Sequence, residues 1–187
     1  MTPTARYGAF ISYSHAASAE VARGLEKWLQ IYAKPWWLWR AVNVFRDEND
    51  LTASPGLWST IADALDHSSH FVLLASPNAS QSKWIKREIR YWLGDPRAGA
   101  LGGPELDAPV SKSRPERTAT LLIALTGGDI LWNDGTGDFD WSRTNALPPL
   151  LSGVFSEEPH WVDLRTIVER DDLRASLSRS NSQFMQA

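Results

Sequence analysis

A predicted helix near the middle of the chain carries two side chains whose types and spacing suit a reactive site. Trp84 and Glu88 are four residues apart, so both project from the same face of the helix. A carboxylate can stabilise a positive charge that develops in a transition state, and an indole ring can stack on a flat or cationic ligand. Ile85, Ile89 and Trp92 fall on a neighbouring face, where they can dock the helix on a sheet.

Both side chains also have a plainer interpretation. A single Glu on a basic helix is most often solvated and paired with a nearby Lys or Arg, and an aromatic residue in a helix is most often part of the core. Lys83, Lys86 and Arg87 supply such basic neighbours. The two interpretations predict opposite positions for the carboxylate of Glu88, either in a cleft or in bulk solvent.

Short apolar strands alternate with amphipathic helices along the chain. The predicted strands are Ala9–Tyr13, Ala41–Phe45, Phe71–Ala75, Thr120–Leu125 and Trp161–Leu164, and the predicted helices begin near Ser18, Ser54 and Ser82. Strands that alternate with helices build a parallel sheet through right-handed crossovers. We therefore predict an α/β fold, a doubly wound, flavodoxin-like, five-stranded parallel sheet with the order 2-1-3-4-5, in a single domain.

Ligands of such sheets bind beyond the carboxyl ends of the strands, where the strand order reverses. Three polar segments fall at that edge, and they are Ser12–His15, Arg46–Asp50 and Ser76–Asn78. Ser12 and Tyr13 are expected to close the first strand structurally. Ser14 and His15 are candidates for lining the cleft.

The composition limits the kinds of function. The chain has 187 residues and a formal charge of −3, which fits one domain without the positive field that nucleic-acid binding requires. It contains no Cys, and its four His show no metal-ligand spacing, so no metal site is predicted. No apolar run approaches the roughly 20 residues of a membrane span. By elimination we predict a cytoplasmic location, with no nucleic acid and no membrane as partners.

Some segments depart from the alternating pattern. Residues 95–117 hold three Gly and four Pro and are predicted to form a long irregular loop. Gly127–Trp141 is an Asp- and Gly-rich excursion, and a short helix at 144–151 is weakened by two consecutive prolines. Residues 171–187 are polar and are predicted to link a domain at 1–170 to further domains that sense a trigger. Trp36, Trp37 and Trp39 either cover the sheet edge or form a patch for self-association.

Three blocks of sequence, in order, resemble the Toll/interleukin-1 receptor (TIR) domain in its prokaryotic form. The first is Ala9–His15; the second is Phe45-Arg46-Asp47 with Leu51, Gly56 and Trp58 at their spacings; the third is Leu74–Asn78 followed by Ser82–Glu88 with its Trp-x-x-x-Glu motif. The blocks cover residues 8–93, and the remainder of the chain resembles the family more loosely.

The resemblance implies an activity and its residues. Many members of the family cleave NAD⁺ at the nicotinamide–ribose bond, and in those members the Glu that matches Glu88 is essential. Glu88 is therefore the candidate catalytic residue. By the same resemblance, the candidate substrate-binding residues are Ser14, His15, Arg46, Asp47 and Trp84. NAD⁺ would be the substrate, and no separate cofactor is implied.

Several of these assignments have open alternatives. Relatives often carry basic residues just after the first block, whereas His15 is mostly neutral at pH 7, which weakens phosphate anchoring there. Asp47 can equally accept hydrogen bonds from loop amides, and Arg46 can pair with a phosphate or with Asp47. Trp58 is expected to anchor its helix in the core rather than to touch substrate.

The chemistry of the bond explains why one carboxylate would be enough. Glycosidases that expel an alcohol need a second carboxyl group to protonate the leaving oxygen. The nicotinamide of NAD⁺ is a cation bonded through nitrogen and leaves as a neutral molecule, so no general acid is required. Capture of the ribosyl cation by water gives ADP-ribose, and capture by a group of the same dinucleotide gives a cyclic product. The sequence leaves both outcomes open.

Other members of the family are scaffolds that only self-associate, and this is the main alternative function. The presence of both Trp84 and Glu88 favours the enzyme. A response-regulator receiver would need acids where the chain has Ser12–His15, a deoxyribosyltransferase-like enzyme would need a nucleobase pocket, and a serine hydrolase would need a Gly-x-Ser-x-Gly turn. The resemblance further implies activity that depends on association with other TIR domains and, by analogy, a bacterial defence or anti-phage system.

Overall fold

A parallel sheet of five strands forms the centre of the structure. The computed structural model describes residues 7–14, 43–44, 57–99, 107–110 and 114–166. The strands are β1 (Tyr7–Ser12), β2 (Asn43–Val44), β3 (Ser68–Ala75), β4 (Leu121–Leu125), β5 (Trp132–Asn133), β6 (Asp138–Phe139) and β7 (Trp161–Asp163). The α-helices are α1 (Leu57–Asp66), α2 (Pro77–Gln81), α3 (Lys83–Leu93) and α4 (Pro115–Thr118), and 3₁₀ turns lie at Pro96–Gly99 and Pro149–Leu151.

The pairing of the strands confirms the predicted fold class. β1 pairs in parallel with β2 and β3, and β4 pairs in parallel with β3 and β7. The order across the sheet is therefore β2-β1-β3-β4-β7. With β7 as the fifth strand of the sheet, this is the predicted order 2-1-3-4-5. The order reverses between β1 and β3, and a ligand cleft is expected beyond their carboxyl ends.

Alternate residues of the central strands build two cores, one on each face of the sheet. Phe10 and Phe71 belong to the larger core, where their rings stack with centroids 5.7 Å apart. Ile11, Val72 and Leu74 belong to the smaller core on the opposite face. Because successive residues of a strand point to opposite faces, the apolar run of β3 is buried on both sides, as predicted.

The helix that carries Trp84 and Glu88 has the predicted bounds. Ser82 precedes α3, and its Oγ accepts a hydrogen bond from the backbone N–H of Ile85 at 3.4 Å. Gly94 follows α3 in the left-handed conformation, with φ +80°, and its N–H bonds back to the last turn. Ser82 is thus the N-cap of the helix, and Gly94 is the C-cap that its sequence position predicts.

Apolar residues of α1 and α3 dock both helices on the larger core. These residues are Ile61, Ala64, Leu65, Ile85, Ile89, Trp92 and Leu93. Trp58 of α1 meets Tyr91 of α3 edge to face, with ring centroids 5.6 Å apart. The two helices therefore lie side by side on one face of the sheet.

A short helix that the sequence analysis did not predict follows β3. Ser76 and Pro77, expected only as a polar end of the strand, begin α2: the Oγ of Ser76 accepts from the N–H of Ala79 at 3.2 Å, and Pro77 occupies the first turn. A Ser-Pro pair also begins the helix predicted near Ser54, so the same pair at Ser76 and Pro77 could have predicted α2.

A small hairpin occupies the excursion between β4 and β7. β5 and β6 pair antiparallel, and Phe139 packs edge to face against Trp132, Trp141 and Phe155. The helix expected at 144–151 is reduced to the 3₁₀ turn Pro149–Leu151. Consecutive prolines explain the difference, because neither can donate the backbone N–H that a longer helix needs.

Some predictions lie outside the described residues. They are the helix near Ser18, the Trp36–Trp39 cluster, the helix start at Ser54 and the polar segment 171–187. Of the predicted strand Ala41–Phe45, Asn43 and Val44 are described, as β2. Within the described ranges, no helix combines the length and the apolar character needed to cross a bilayer.

The C-cap of α3 yields a stability prediction. Gly94→Ala should lower the free energy of unfolding by about 1–2 kcal/mol, because an L-residue is strained at positive φ. Gly94→Asn is the matched control, since Asn tolerates this conformation and carries the same Cβ, which would lie 2.6 Å from Nε of Arg114. Urea denaturation of both variants should show a smaller loss for Asn. Equal losses would show that contact with Arg114, and not backbone strain, sets the cost.

Candidate active site

The carboxylate of Glu88 lies at the carboxyl end of β1. The hydroxyl of Ser12, the last residue of β1, donates a hydrogen bond to Oε2 of Glu88 at 2.6 Å. Ser12 shares its side of the strand with Phe10, which belongs to the core beneath α3. The strand alternation therefore directs Ser12 toward the helix, and α3 directs Glu88 toward the strand.

Both partners of this hydrogen bond are buried. Ser12 is 2% exposed and Glu88 is 6% exposed. The length matches a hydrogen bond from a hydroxyl to an ionised carboxylate, which is typically about 2.5–2.7 Å. Glu88 is therefore not the solvated helix residue of the plainer interpretation, and its carboxyl group sits beside the reversal point of the sheet.

Trp84 lies one helical turn before Glu88 and is half-buried. It packs against the larger core, as an aromatic residue of a helix commonly does. The guanidinium carbon of Arg87 lies 5.8 Å from the Trp84 ring centroid and 3.5 Å from that of Trp58. Trp58 thus anchors its helix, as predicted, and also provides the surface on which Arg87 stacks.

The basic residues of α3 hold the segment that follows the helix. Nε of Arg87 donates to the carbonyl of Ala98 at 2.9 Å, and Arg90 donates to the carbonyl of Ala108. Nζ of Lys86 pairs with Asp107 at 2.5 Å. Residues 95–117 were predicted as an irregular loop, but the described parts include the 3₁₀ turn Pro96–Gly99 and most of α4. Ala98, Asp107 and Ala108 of this segment are attached to α3 by these buried charged side chains.

Asp95 is the charged centre of this attachment. Nη1 of Arg90 donates to its Oδ2 at 2.6 Å, and the backbone and guanidinium groups of Arg97 donate to both of its oxygens. Burial alone would raise the pKa of Asp95, but the hydrogen bonds from Arg97 and the charges of Arg90 and Arg97 outweigh burial and lower the pKa to about 2. The acid is ionised at every physiological pH.

The described structure contains only part of the predicted site. Ser14 is half-buried and lies two residues after Ser12, the last residue of β1. Trp84 and Glu88 lie on α3 at the same side of the sheet. His15, Arg46 and Asp47 lie outside the described residues, so their positions relative to Glu88 stay a prediction.

The sequence analysis placed Ser12 at the ligand edge of the sheet but expected it only to close β1, and its hydrogen bond to Glu88 was not predicted. The sequence held a signal for this contact. Ser12 lies two residues after Phe10 in the same strand, so both side chains face the same side of the sheet. No group of three or more acidic or His side chains within the described ranges is arranged to hold a metal ion.

The sheet order defines a class of protein, the flavodoxin-like α/β domains, in which ligands commonly bind at the reversal point of the parallel sheet. Residues 9–140 match the family model described as TIR domain, and the chain belongs to this family. It is 44% identical over 160 residues to the protein named NAD(+) hydrolase ApTIR from Actinoplanes sp. (strain SE50/110), a match that covers 86% of this chain. The chain spans 19% of that relative's length.

Asp95 provides a prediction about acid stability. Its folded-state pKa of about 2 lies below the ordinary value of 3.8, so its contribution to stability is present above pH 4 and is lost as the pH falls toward 2. Wild-type protein should lose on the order of 2 kcal/mol of unfolding free energy over this interval from Asp95 alone.

Asp95→Asn should be less stable than wild type at pH 7 by about 3–5 kcal/mol, because it leaves buried Arg90 without its carboxylate. The difference between the two proteins should shrink between pH 4 and pH 2 in denaturant titrations. Asp134→Asn, at an exposed acid in the hairpin turn, should stay within about 0.5 kcal/mol of wild type. A constant difference at all pH values would contradict the assigned role of Asp95.

Proposed function

We propose that this TIR domain is an NAD⁺ nucleosidase that cleaves the nicotinamide–ribose bond. The observation that carries the proposal is the buried carboxylate of Glu88 at the reversal point of the sheet. The relationship to a protein named NAD(+) hydrolase supports the substrate and the reaction, and it extends over most of this chain.

The proposed chemistry needs one anionic group. The C–N bond between ribose and nicotinamide breaks, its electron pair stays with the ring nitrogen, and nicotinamide leaves as a neutral molecule. The ribose then carries an oxocarbenium-like positive charge, which a carboxylate fixed in a water-poor environment stabilises more strongly than it could in bulk water. Glu88 is the residue proposed to supply this carboxylate.

Further residues are proposed to bind the dinucleotide. The exposed part of Trp84 can stack on the nicotinamide or the ribose, and cation–π attraction to a pyridinium is worth roughly 0.5–2 kcal/mol. Ser14 lies two residues after Ser12, the last residue of β1, and is proposed to contact the ligand at the strand ends. His15, Arg46 and Asp47 are proposed as contacts to ribose or phosphate from their sequence positions alone.

The proposal includes the setting in which the enzyme works. Self-association with other TIR domains would activate it, further domains of a longer chain would sense a trigger, and the location would be the cytoplasm of a bacterium with a defence role. These statements follow from the family relationship and not from a contact in the structure.

Replacing the carboxylate tests the activity. Glu88→Gln keeps the size of the side chain and an oxygen that can accept from Ser12, but it removes the negative charge. Nicotinamide release from NAD⁺, followed by chromatography, should fall on the order of 10²–10³-fold or more. Circular dichroism should show an unchanged fold. Glu116→Gln, at an exposed acid of α4, is the matched control and should keep wild-type activity.

The same chromatogram separates the open alternatives. ADP-ribose indicates capture by water, and a cyclic product indicates capture within the dinucleotide. Full activity of Glu88→Gln would remove Glu88 from the mechanism. If clustered wild-type protein released no nicotinamide, the scaffold function would be the surviving one.

Forced association tests the dependence on assembly. This chain fused to a tetrameric coiled coil should release nicotinamide at least about tenfold faster per mole than the free chain, because tethering raises the local concentration of TIR domains. A fusion to the same coil with charged residues at its core positions is the monomeric control. Equal specific activity in dilute monomer and tetramer would refute assembly-dependent activation.

A further inference from the structure

Ser12 differs in its choice of partner from the other buried serines of the described ranges. Those serines bond within four positions and each to a backbone group: Ser68 donates to the carbonyl of Ala64, Ser80 donates to the carbonyl of Pro77 and also accepts from the neighbouring Gln81, and Ser76 accepts from the N–H of Ala79. Such bonds cap and close local structure. Ser12 instead donates to the carboxylate of Glu88, 76 positions away in the chain.

We infer that Ser12 is a positioning residue for Glu88, whose hydroxyl holds the carboxylate in one orientation and keeps it ionised. The inference rests on the proposed function. It adds a residue from β1 to the reacting centre on α3, and it assigns that residue a role in the reaction beyond closing a strand.

The energetics of burial support this role. A buried carboxyl group tends to take up a proton, because the charged form loses its hydration. A hydrogen bond donated to the carboxylate favours the ionised form, and a bond with a charged partner is about twice as strong as a neutral one. The 2.6 Å contact from Ser12 therefore opposes the effect of burial on Glu88.

Five side chains with a charged or titratable group on the helices around Glu88 have partners within the described residues. Lys86 pairs with Asp107, Arg90 with Asp95, Arg87 stacks on Trp58, Tyr91 donates to Asp66 of α1, and Arg117 of α4 stacks on Trp92. Removal of the Ser12 hydroxyl should leave these contacts in place. A change in the titration of Glu88 that appears in Ser12→Ala and not in Ser68→Ala can then be assigned to the loss of the Ser12 hydroxyl.

Loss of the Ser12 hydrogen bond should affect kcat more than KM. Ser12 touches the group that acts on the transition-state charge, so Ser12→Ala should lower kcat by about tenfold to 10²-fold while KM changes little. The acid limb of the kcat/KM profile should move to higher pH, because the pKa of Glu88 rises without its donor.

The test uses this full chain in its clustered form. Ser12→Ala removes the hydroxyl, Ser12→Cys keeps the volume with a weak donor in case the alanine variant fails to fold, and Ser12→Thr restores the hydroxyl. Both of the first two should lose turnover, and threonine should recover most of it. Ser68→Ala is the matched control, since Ser68 is also buried and its hydroxyl lies at the opposite end of the sheet. It should keep the kcat and pH profile of wild type.

A second readout does not depend on turnover. In protein carrying ¹³C-labelled Glu side chains, with the Glu88 signal assigned by Glu88→Gln, Ser12→Ala should raise the pKa of Glu88 relative to wild type and Ser68→Ala. If wild type cleaves NAD⁺ and Ser12→Ala leaves both kcat and the titration of Glu88 unchanged, the inference about Ser12 is wrong. The proposed function would still stand. Wild type that releases no nicotinamide when clustered overturns the proposed function, whatever the titration shows.

Discussion

Four charged side chains on one helix are buried, and each requires compensation inside the protein. Lys86, Arg87, Glu88 and Arg90 of α3 are almost fully excluded from solvent. A charge removed from water is costly unless hydrogen bonds or opposite charges replace its hydration. The placement of α3 on the sheet brings Glu88 to a hydroxyl of β1, and the described parts of 95–110 bring carbonyl and carboxylate groups to the basic side chains.

The compensation divides between two sides of the helix. The cations reach toward the segment after α3, where carbonyl groups and the acids Asp95 and Asp107 receive them, and Arg87 adds a stacking contact with α1. The carboxylate of Glu88 reaches the other way, to the end of β1. The apolar face of α3 fixes the rotation of the helix that makes both possible, because Ile85 and Ile89 are fully buried in the core.

The sequence predicts the strands and helices that position the site better than it predicts the contacts between their side chains. Alternation of apolar strands with capped helices was enough for the sheet order and for the bounds of α3, since caps and periodicity are local signals. The burial of Arg90 and its contact with Asp95 were not predicted, because basic residues on a helix are normally solvated and their burial depends on a segment without periodicity. The hydrogen bond of Ser12 was not predicted for a related reason: its partner is distant in sequence, and only the packing of α3 on β1 brings them together.

The hydrogen-bond donor that β1 supplies to Glu88 affects the charge that its carboxylate can present to a ligand. The guanidinium groups of Arg87 and Arg90, which flank it in sequence, bond to Ala98, Asp95 and Ala108. The hydrogen bond from Ser12 comes from a neutral hydroxyl, which favours the ionised form without bringing a positive charge to it. In the proposed reaction the carboxylate would face a cationic ribose, and a positive charge donated from position 12 would offset part of its negative charge. The serine at the end of β1 supplies a hydrogen bond without that effect.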